Sequence, residues 1–163
     1  MIAVCYFPTT LGWCGLAGGA GKLRKLYLPE PGRQELVDRM VRDFPAARLN
    51  NEALAVAAGE LQRYFSGGAP PFTCRLDFGA ATEFQKKVWQ ATRQIPYGQV
   101  RTYGWIAEKI GCPAGMRAVG MALGKNPFPI IIPCHRVVRQ DGGLGGFSAA
   151  AGIPLKRKLL QLE

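Results

Sequence analysis

The sequence predicts two domains of different class. An α/β N-terminal domain, an antiparallel sheet with helices, is expected over 1–79. A mainly α-helical C-terminal domain containing a helix-turn-helix is expected over 80–163. Three observations carry this reading. Residues 3–28 fall into short runs of alternating apolar residues separated by Gly-rich or Thr-rich turns, the pattern of half-buried strands. From Thr82 onward apolar residues recur at helical spacing behind clear start signals. Between the two regions lies Ser66-Gly67-Gly68-Ala69-Pro70-Pro71, a breaker that a regular element does not cross.

The elements follow in order. Ala3–Pro8, Gly12–Ala17 and Lys22–Leu28 are predicted strands of an antiparallel meander. Gln34–Phe44 carries Leu36, Val37, Met40, Val41 and Phe44 at helical spacing, and Glu52–Phe65 repeats this with Leu54, Ala58, Leu61 and Phe65. Phe72–Phe78 reads as one more strand. Thr82-Glu83-Phe84-Gln85 is a capping box that starts a helix with Phe84, Val88, Ala91 and Ile95 on one face, and Pro96-Tyr97-Gly98 stops it. Thr102 caps a short helix whose inward face is Tyr103, Ile106, Ala107 and Ile110. After the turn Cys112-Pro113-Ala114-Gly115, a second helix runs from Met116 to Lys125, and the pair has helix-turn-helix form.

Composition narrows the function classes. Lys and Arg number 21 against 11 Asp and Glu, a net charge of +10 that favours a polyanionic partner such as nucleic acid or an anionic membrane surface. The membrane is the weaker fit, because no apolar run approaches the length of a spanning helix and the N-terminus lacks a signal peptide's basic flank. Cys5, Cys14, Cys74, Cys112 and Cys134 form an odd set without paired spacing, which argues for a reducing, cytoplasmic setting. No C-x-x-C exists and His135 is the single histidine, so no metal site is expected.

Chemistry concentrates in Pro133-Cys134-His135-Arg136-Val137. A thiol is nucleophilic as its thiolate, and histidine is the side chain best suited to take its proton near neutral pH. The alternative is an inert cysteine buried behind Ile130, Ile131 and Ile132. The second helix of the pair adds a clue. Val119, Ala122 and Leu123 fall on its core side, while Arg117, Gly120, Met121 and Gly124 share the opposite, nearly bare face. Interior glycines cost a helix about 1 kcal/mol each relative to alanine, so close approach to another surface is expected. That surface is either a DNA minor groove, with Arg117 entering the base stack, or another part of the protein.

Ile95-Pro96-Tyr97-Gly98, Thr102-Tyr103-Gly104, Arg117-Ala118-Val119-Gly120, Asn126-Pro127 and Pro133-Cys134-His135-Arg136-Val137 together resemble the motif series of the O6-alkylguanine-DNA alkyltransferases, in order and spacing from Thr82 to Glu163. The resemblance implies a DNA repair protein working as a monomer and without a cofactor on double-stranded DNA that carries O6-alkylguanine, with O4-alkylthymine as a further substrate to consider. Cys134 would accept the alkyl group irreversibly, in one turnover, from a nucleotide flipped out of the duplex. His135 would draw the thiol proton through a water, with Glu163 orienting the imidazole. Tyr103 would donate a proton toward guanine N3, and Asn126 would brace the turn before an active-site strand. Arg117 would fill the vacated space, with Ala118, Gly120, Met121, Gly124, Lys125 and Arg136 at the DNA. Arg101 is a further phosphate candidate. Pro129, Val137, Phe147 and Ser148 would line the pocket, the backbone carbonyls of Cys134 and Val137 and the Ser148 N–H reading the guanine edge. The setting would be the cytoplasm with its nucleoid in a prokaryote and the nucleus in a eukaryote.

The chain departs from the family pattern at Phe147, where tyrosine is usual, and at Ala149-Ala150, where many members carry Gly-Gly; Ala151-Gly152-Ile153-Pro154 reads as a lengthened loop. Other classes weigh against this resemblance. A noncatalytic helix-turn-helix regulator leaves Cys134-His135 unexplained, a cysteine hydrolase needs an oxyanion hole, and a thiol redox protein wants a resolving cysteine.

Overall fold

The computed structural model describes residues 1–147 and 152–163. The chain divides into two compact units, Met1–Gly79 and Ala80–Glu163. No described helix is long and apolar enough to cross a membrane.

In the first unit β1 (Ala3–Thr9), β2 (Gly12–Gly19) and β3 (Lys22–Glu30) form the antiparallel meander. The β2–β3 turn places Ala20 at φ 52° and Gly21 at φ 72°, both left-handed, as a tight hairpin of matching twist requires. β2 is the middle strand and is buried continuously from Cys14 to Gly18, because both faces of the sheet are covered. Gly15 and Ala17 face α1 (Arg33–Asp43), whose Leu36 and Met40 close over Ala17 and Tyr27. Gly18 points the other way, toward Leu54.

Leu54 ends a 3-10 turn (Glu52–Leu54) that precedes α2 (Ala55–Phe65), so the expected single helix starts as two pieces. The tighter turn shifts the helical phase, and the buried stripe of α2 is Ala57, Glu60, Leu61, Tyr64 and Phe65, with Ala58 only half-buried. On α1 the stripe is likewise narrower than the spacing suggests, since Val41 lies exposed.

Both sheet edges are finished by two-residue strands parallel to their neighbours. β4 (Arg48–Leu49) pairs with β1, and β5 (Arg75–Leu76) with β3. The expected strand over Phe72–Phe78 shrinks to β5 for a local reason: Phe72 sits at φ 47°, and Glu60 accepts hydrogen bonds from the Thr73 N–H at 3.0 Å and from its hydroxyl at 2.7 Å, which takes that donor out of any ladder.

In the second unit α3 (Glu83–Arg93) begins with the expected capping box, the Gln85 N–H donating to Thr82 Oγ1 at 3.1 Å and the Thr82 N–H to Gln85 Oε1 at 3.0 Å. Its buried side is Val88, Trp89, Ala91 and Thr92, and Phe84 is half-buried. β6 (Arg101–Thr102) leads into α4 (Tyr103–Lys109), where Thr102 Oγ1 accepts from the Trp105 N–H at 3.0 Å. α5 (Met116–Gly124) completes the helix-turn-helix and buries Val119, Ala122 and Leu123. Trp89 pins it to α3 by donating Nε1–H to the Ala122 carbonyl at 2.9 Å.

The segment after α5 departs from expectation. Cys134 lies in a 3-10 turn (Cys134–Arg136), not in a strand; strand pairing starts only at β7 (Val137–Val138), parallel to β6. Gly152, Ile153 and Pro154, read as part of a lengthened loop, belong to α6 (Gly152–Leu162). Proline fits there because the first turn of a helix has no intrahelical use for its N–H. Ser148 and Ala149–Ala151 lie outside the described residues.

Gly12 sits at φ +129°, and an added Cβ would stand 2.5 Å from the backbone oxygen of Glu30. Gly12→Ala is therefore expected to destabilise the chain by about 3 kcal/mol in urea unfolding, whereas Gly21→Asn, left-handed but facing open space, should cost less than about 1 kcal/mol.

Candidate active site

The loop between α5 and the 3-10 turn is built around Asn126. Its Nδ2 donates to the Ile132 carbonyl at 2.9 Å, and its Oδ1 accepts from the Phe128 N–H at 2.8 Å. Asn126 also hydrogen-bonds the Cys134 thiol. Ile130, Ile131 and Ile132 are buried, so the apolar run anchors the turn that presents Cys134.

Cys134 borders a cavity of about 1210 Å³. Tyr103 and Gly104 of α4, Arg117, Gly120, Met121 and Gly124 of α5, and Phe147 line the same space. The bare face of α5 thus opens on the cavity that holds the thiol. An added Cβ at Gly120 would lie 3.8 Å from the Tyr103 ring, and one at Gly124 would meet open space. Gly145 leaves room for the Tyr103 hydroxyl, since a Cβ there would stand 2.6 Å from it, and the Gly146 N–H donates to that oxygen.

Behind the thiol is a buried polar chain. His135 Nε2 lies 2.5 Å from Glu163 Oε2, and Arg136 Nε donates to Glu163 Oε1 at 2.7 Å. Arg136 also donates to the Ile95 carbonyl at 2.8 Å. Glu163, the last residue of the sequence, is well held: its Oε1 accepts from the Gly98 N–H at 3.2 Å, and the Tyr97 hydroxyl donates to the Leu162 carbonyl at 3.3 Å. The Pro96-Tyr97-Gly98 turn thereby anchors the end of α6.

The structure also places the remaining expected residues, and it corrects Arg136 and the side chains of Pro129 and Val137. Arg136 is 7 % exposed and committed to Glu163 and Ile95, so its guanidinium is not available to a phosphate. The Pro129 and Val137 side chains are buried and do not line the cavity; the Val137 carbonyl accepts from Lys156 at 2.7 Å, which leaves its second lone pair for the expected guanine contact. Ala118 and Lys125, expected at the DNA, are exposed on or just beyond α5. Arg101 is held by the Val100 carbonyl and by Gln99 Oε1, each at 2.8 Å, and lies over the Trp105 ring.

Lys156 is the functional residue the sequence reading missed. In a Lys156-Arg157-Lys158 run it looks like surface charge, yet it is fully buried. Its ammonium donates to the carbonyls of Val137 at 2.7 Å, Leu144 and Gly146 at 3.3 Å, tying the loop after β7 to α6. A signal existed: position 156 stands three before Leu159 and four before Leu160, within the helix's apolar stripe.

The electrostatics separate the groups. Burial pushes the Cys134 thiol above its ordinary value, while the Asn126 hydrogen bond and the Lys156 charge pull it down. Burial lowers His135; Glu163 opposes this, and the charges of Arg136 and Lys156 reinforce it, so the imidazole is neutral near pH 7 with a nitrogen able to accept a proton. Burial also raises Tyr103, which keeps its proton, and lowers Lys156 to about 8.

Residues 83–163 match the family described as 6-O-methylguanine DNA methyltransferase, DNA binding domain. A methylated-DNA–protein-cysteine methyltransferase of Mycobacterium leprae is 48 % identical over 113 residues, 69 % of this chain and 67 % of the relative. This chain belongs to the methylated-DNA–protein-cysteine methyltransferase family. Among solved structures, an O6-methylguanine methyltransferase of Mycobacterium tuberculosis is similar over 99 % of this chain and 92 % of that one, with 37 % identity and a TM-score of 0.81. An OGT of the same organism in complex with DNA is similar over 98 % and 91 %, with 37 % identity and a TM-score of 0.82. The two-part fold, an α/β N-terminal portion and a helical C-terminal portion, is that of the family.

Because Arg136 is a buried partner of Glu163, Arg136→Met should destabilise the protein by about 3–5 kcal/mol in the absence of DNA. Lys125→Met should change stability by less than about 0.5 kcal/mol. Thermal melts of the two variants check this.

Proposed function

We propose that this protein repairs DNA by taking the alkyl group of O6-alkylguanine onto Cys134 in one irreversible turnover. The observation that carries the reading is that the thiol and the bare face of α5 line one cavity. A nucleotide turned out of a duplex lying on α5 would enter the space that Cys134 borders. Family membership supports the reaction, and the relative solved with DNA supports the partner. Charge supports it as well: Ala80–Glu163 carries 12 Lys and Arg against four Asp and Glu, while Met1–Gly79 carries nine against seven. Affinity for DNA therefore belongs to the second unit, through phosphate contacts that suit a lesion occurring in any sequence. The first unit is structural in this reading.

The protons can be followed. The Cys134 thiol passes its proton through a water to His135, and Glu163 orients the imidazole and balances the charge it gains. Sulfur attacks the alkyl carbon, the S–C bond forms, and the C–O6 bond breaks with its electron pair going to the purine. Tyr103 gives its phenolic proton to guanine N3 and recovers one from His135 or solvent. The net result moves one proton from thiol to guanine and one alkyl group from guanine to sulfur. The thioether cannot ionise, so the chain acts once. Lys156, charged near pH 7, favours the thiolate by its positive charge and holds the cavity loop by its carbonyls. One thiol and one cavity suffice for the event, so a monomer is the working form. A reducing compartment that contains DNA, the cytoplasm with its nucleoid or the nucleus, suits the free cysteines. A noncatalytic regulator would have no use for a thiol backed by a buried His–Glu pair.

Mass spectrometry after incubation with a duplex containing O6-methylguanine should find one added methyl group, on Cys134. Burial pushes Cys5 up to about 11 and raises Cys14 as well, so neither should react. Transfer by a Cys134→Ala variant, or methylation at another cysteine, would defeat the assignment.

The pH dependence follows from the directions of shift. His135 is lowered below its ordinary 6.5, so transfer should rise with pH through that lower value and be level near pH 7. It should fall again above about 8 as Lys156 loses the charge that stabilises the thiolate. In His135→Gln the thiol loses its base, and transfer at pH 7 should drop by roughly 10²–10⁴ while still climbing into the alkaline range. A His135→Gln profile with the wild-type shape and rate would rule out the relay.

A further inference from the structure

Among the described residues of Ala80–Glu163, Met121 is the most exposed large apolar side chain, at 64 %. It stands one turn from Arg117 on the same face of α5, and both border the cavity that holds Cys134. Gly120 and Gly124 share that face and carry no side chain, so Arg117 and Met121 are what project from it. Met116 differs, because its sulfur lies 3.4 Å from where a Gly104 Cβ would be, against α4.

An apolar chain held out at the rim of a basic, DNA-facing cavity has no partner among the groups that move protons, and its chemistry suits the inside of a base stack. Methionine is among the residues that act as minor-groove wedges, parting adjacent base pairs without reading their sequence.

We infer that Met121 is an apolar wedge: it enters the minor groove and opens the base step beside the target nucleotide while Arg117 occupies the place that nucleotide leaves. The inference rests on the alkyl-transfer reading above and adds a second positioning residue to it. A wedge at the neighbouring step weakens the stack on one side of the target before extrusion, so Met121 acts on flipping and not on the chemistry at sulfur.

The test compares Met121→Ala, Met121→Gln and Met121→Leu on two substrates, a duplex containing O6-methylguanine and the free base O6-benzylguanine. The Ala and Gln variants should slow transfer from duplex about tenfold, and Leu should retain it, with free-base transfer within about twofold of wild type in all three. Glutamine matches methionine in length and helix propensity, so a merely structural role predicts no loss in that variant. A second readout uses Cys134→Ala protein, which holds the unreacted complex, with 2-aminopurine at the step beside the lesion. Its fluorescence should rise on binding and should not rise when Met121→Gln is added. Wild-type duplex transfer by Met121→Gln, equal losses on both substrates, or equal 2-aminopurine brightening with and without Met121 would each overturn the wedge. Failure of the wild-type protein to take an alkyl group from either substrate would overturn the alkyl-transfer reading and the wedge with it.

Discussion

The buried carboxylate of Glu163 is the contact that holds the turns and the last helix of the second unit together. It is shared between His135 and Arg136, with side-chain exposure of only 2 %. Three polar side chains leave water together there, which is tolerable only because each is satisfied by the others and by backbone. Removing one partner strands a charge in the interior. The same carboxylate accepts from Gly98, so one group ties the end of α6 to the turn after α3 and to the turn that carries Cys134. Its position also delivers α6 to the site, and α6 brings Lys156.

Cys134 has to be sheltered enough for an in-line attack and charged enough to make one. Burial alone drives a thiol toward inertness, as at Cys5 and Cys14. Cys134 feels the same push, but two features oppose it: the Asn126 side chain and the Lys156 ammonium. Both belong to scaffolding. Asn126 braces the loop of buried isoleucines, and Lys156 holds the loop that closes over Tyr103. Groups that shape the cavity therefore also tune the nucleophile.

The glycines divide by task. Gly15 and Gly18 on β2 let helices approach both faces of the sheet, an internal packing need. Gly120 and Gly124 on α5 face Tyr103 and open space, so they keep bulk off the helix face that opens on the cavity. Gly145 leaves room for one phenol oxygen.

The sequence by itself determined what neighbours along the chain decide. The meander, the capping box at Thr82, the Thr102 cap and the division of α5 into a core side and a bare side all follow from periodicity and local hydrogen-bonding chemistry. Cys134-His135 stood out for the same reason, because thiol and imidazole are neighbours along the chain. Tertiary structure decided which charges are inside. Arg136 reads as a phosphate contact and Lys156 as surface charge until partners 27 and 19 residues away, Glu163 and the Val137 carbonyl, come to meet them. It also decided the short parallel edges β4 and β5 and the 3-10 turn at Cys134, where two residues of pairing or one tight turn leave no periodic trace. A charged side chain can be buried only where distant backbone and side chains satisfy it, and no local pattern records that meeting.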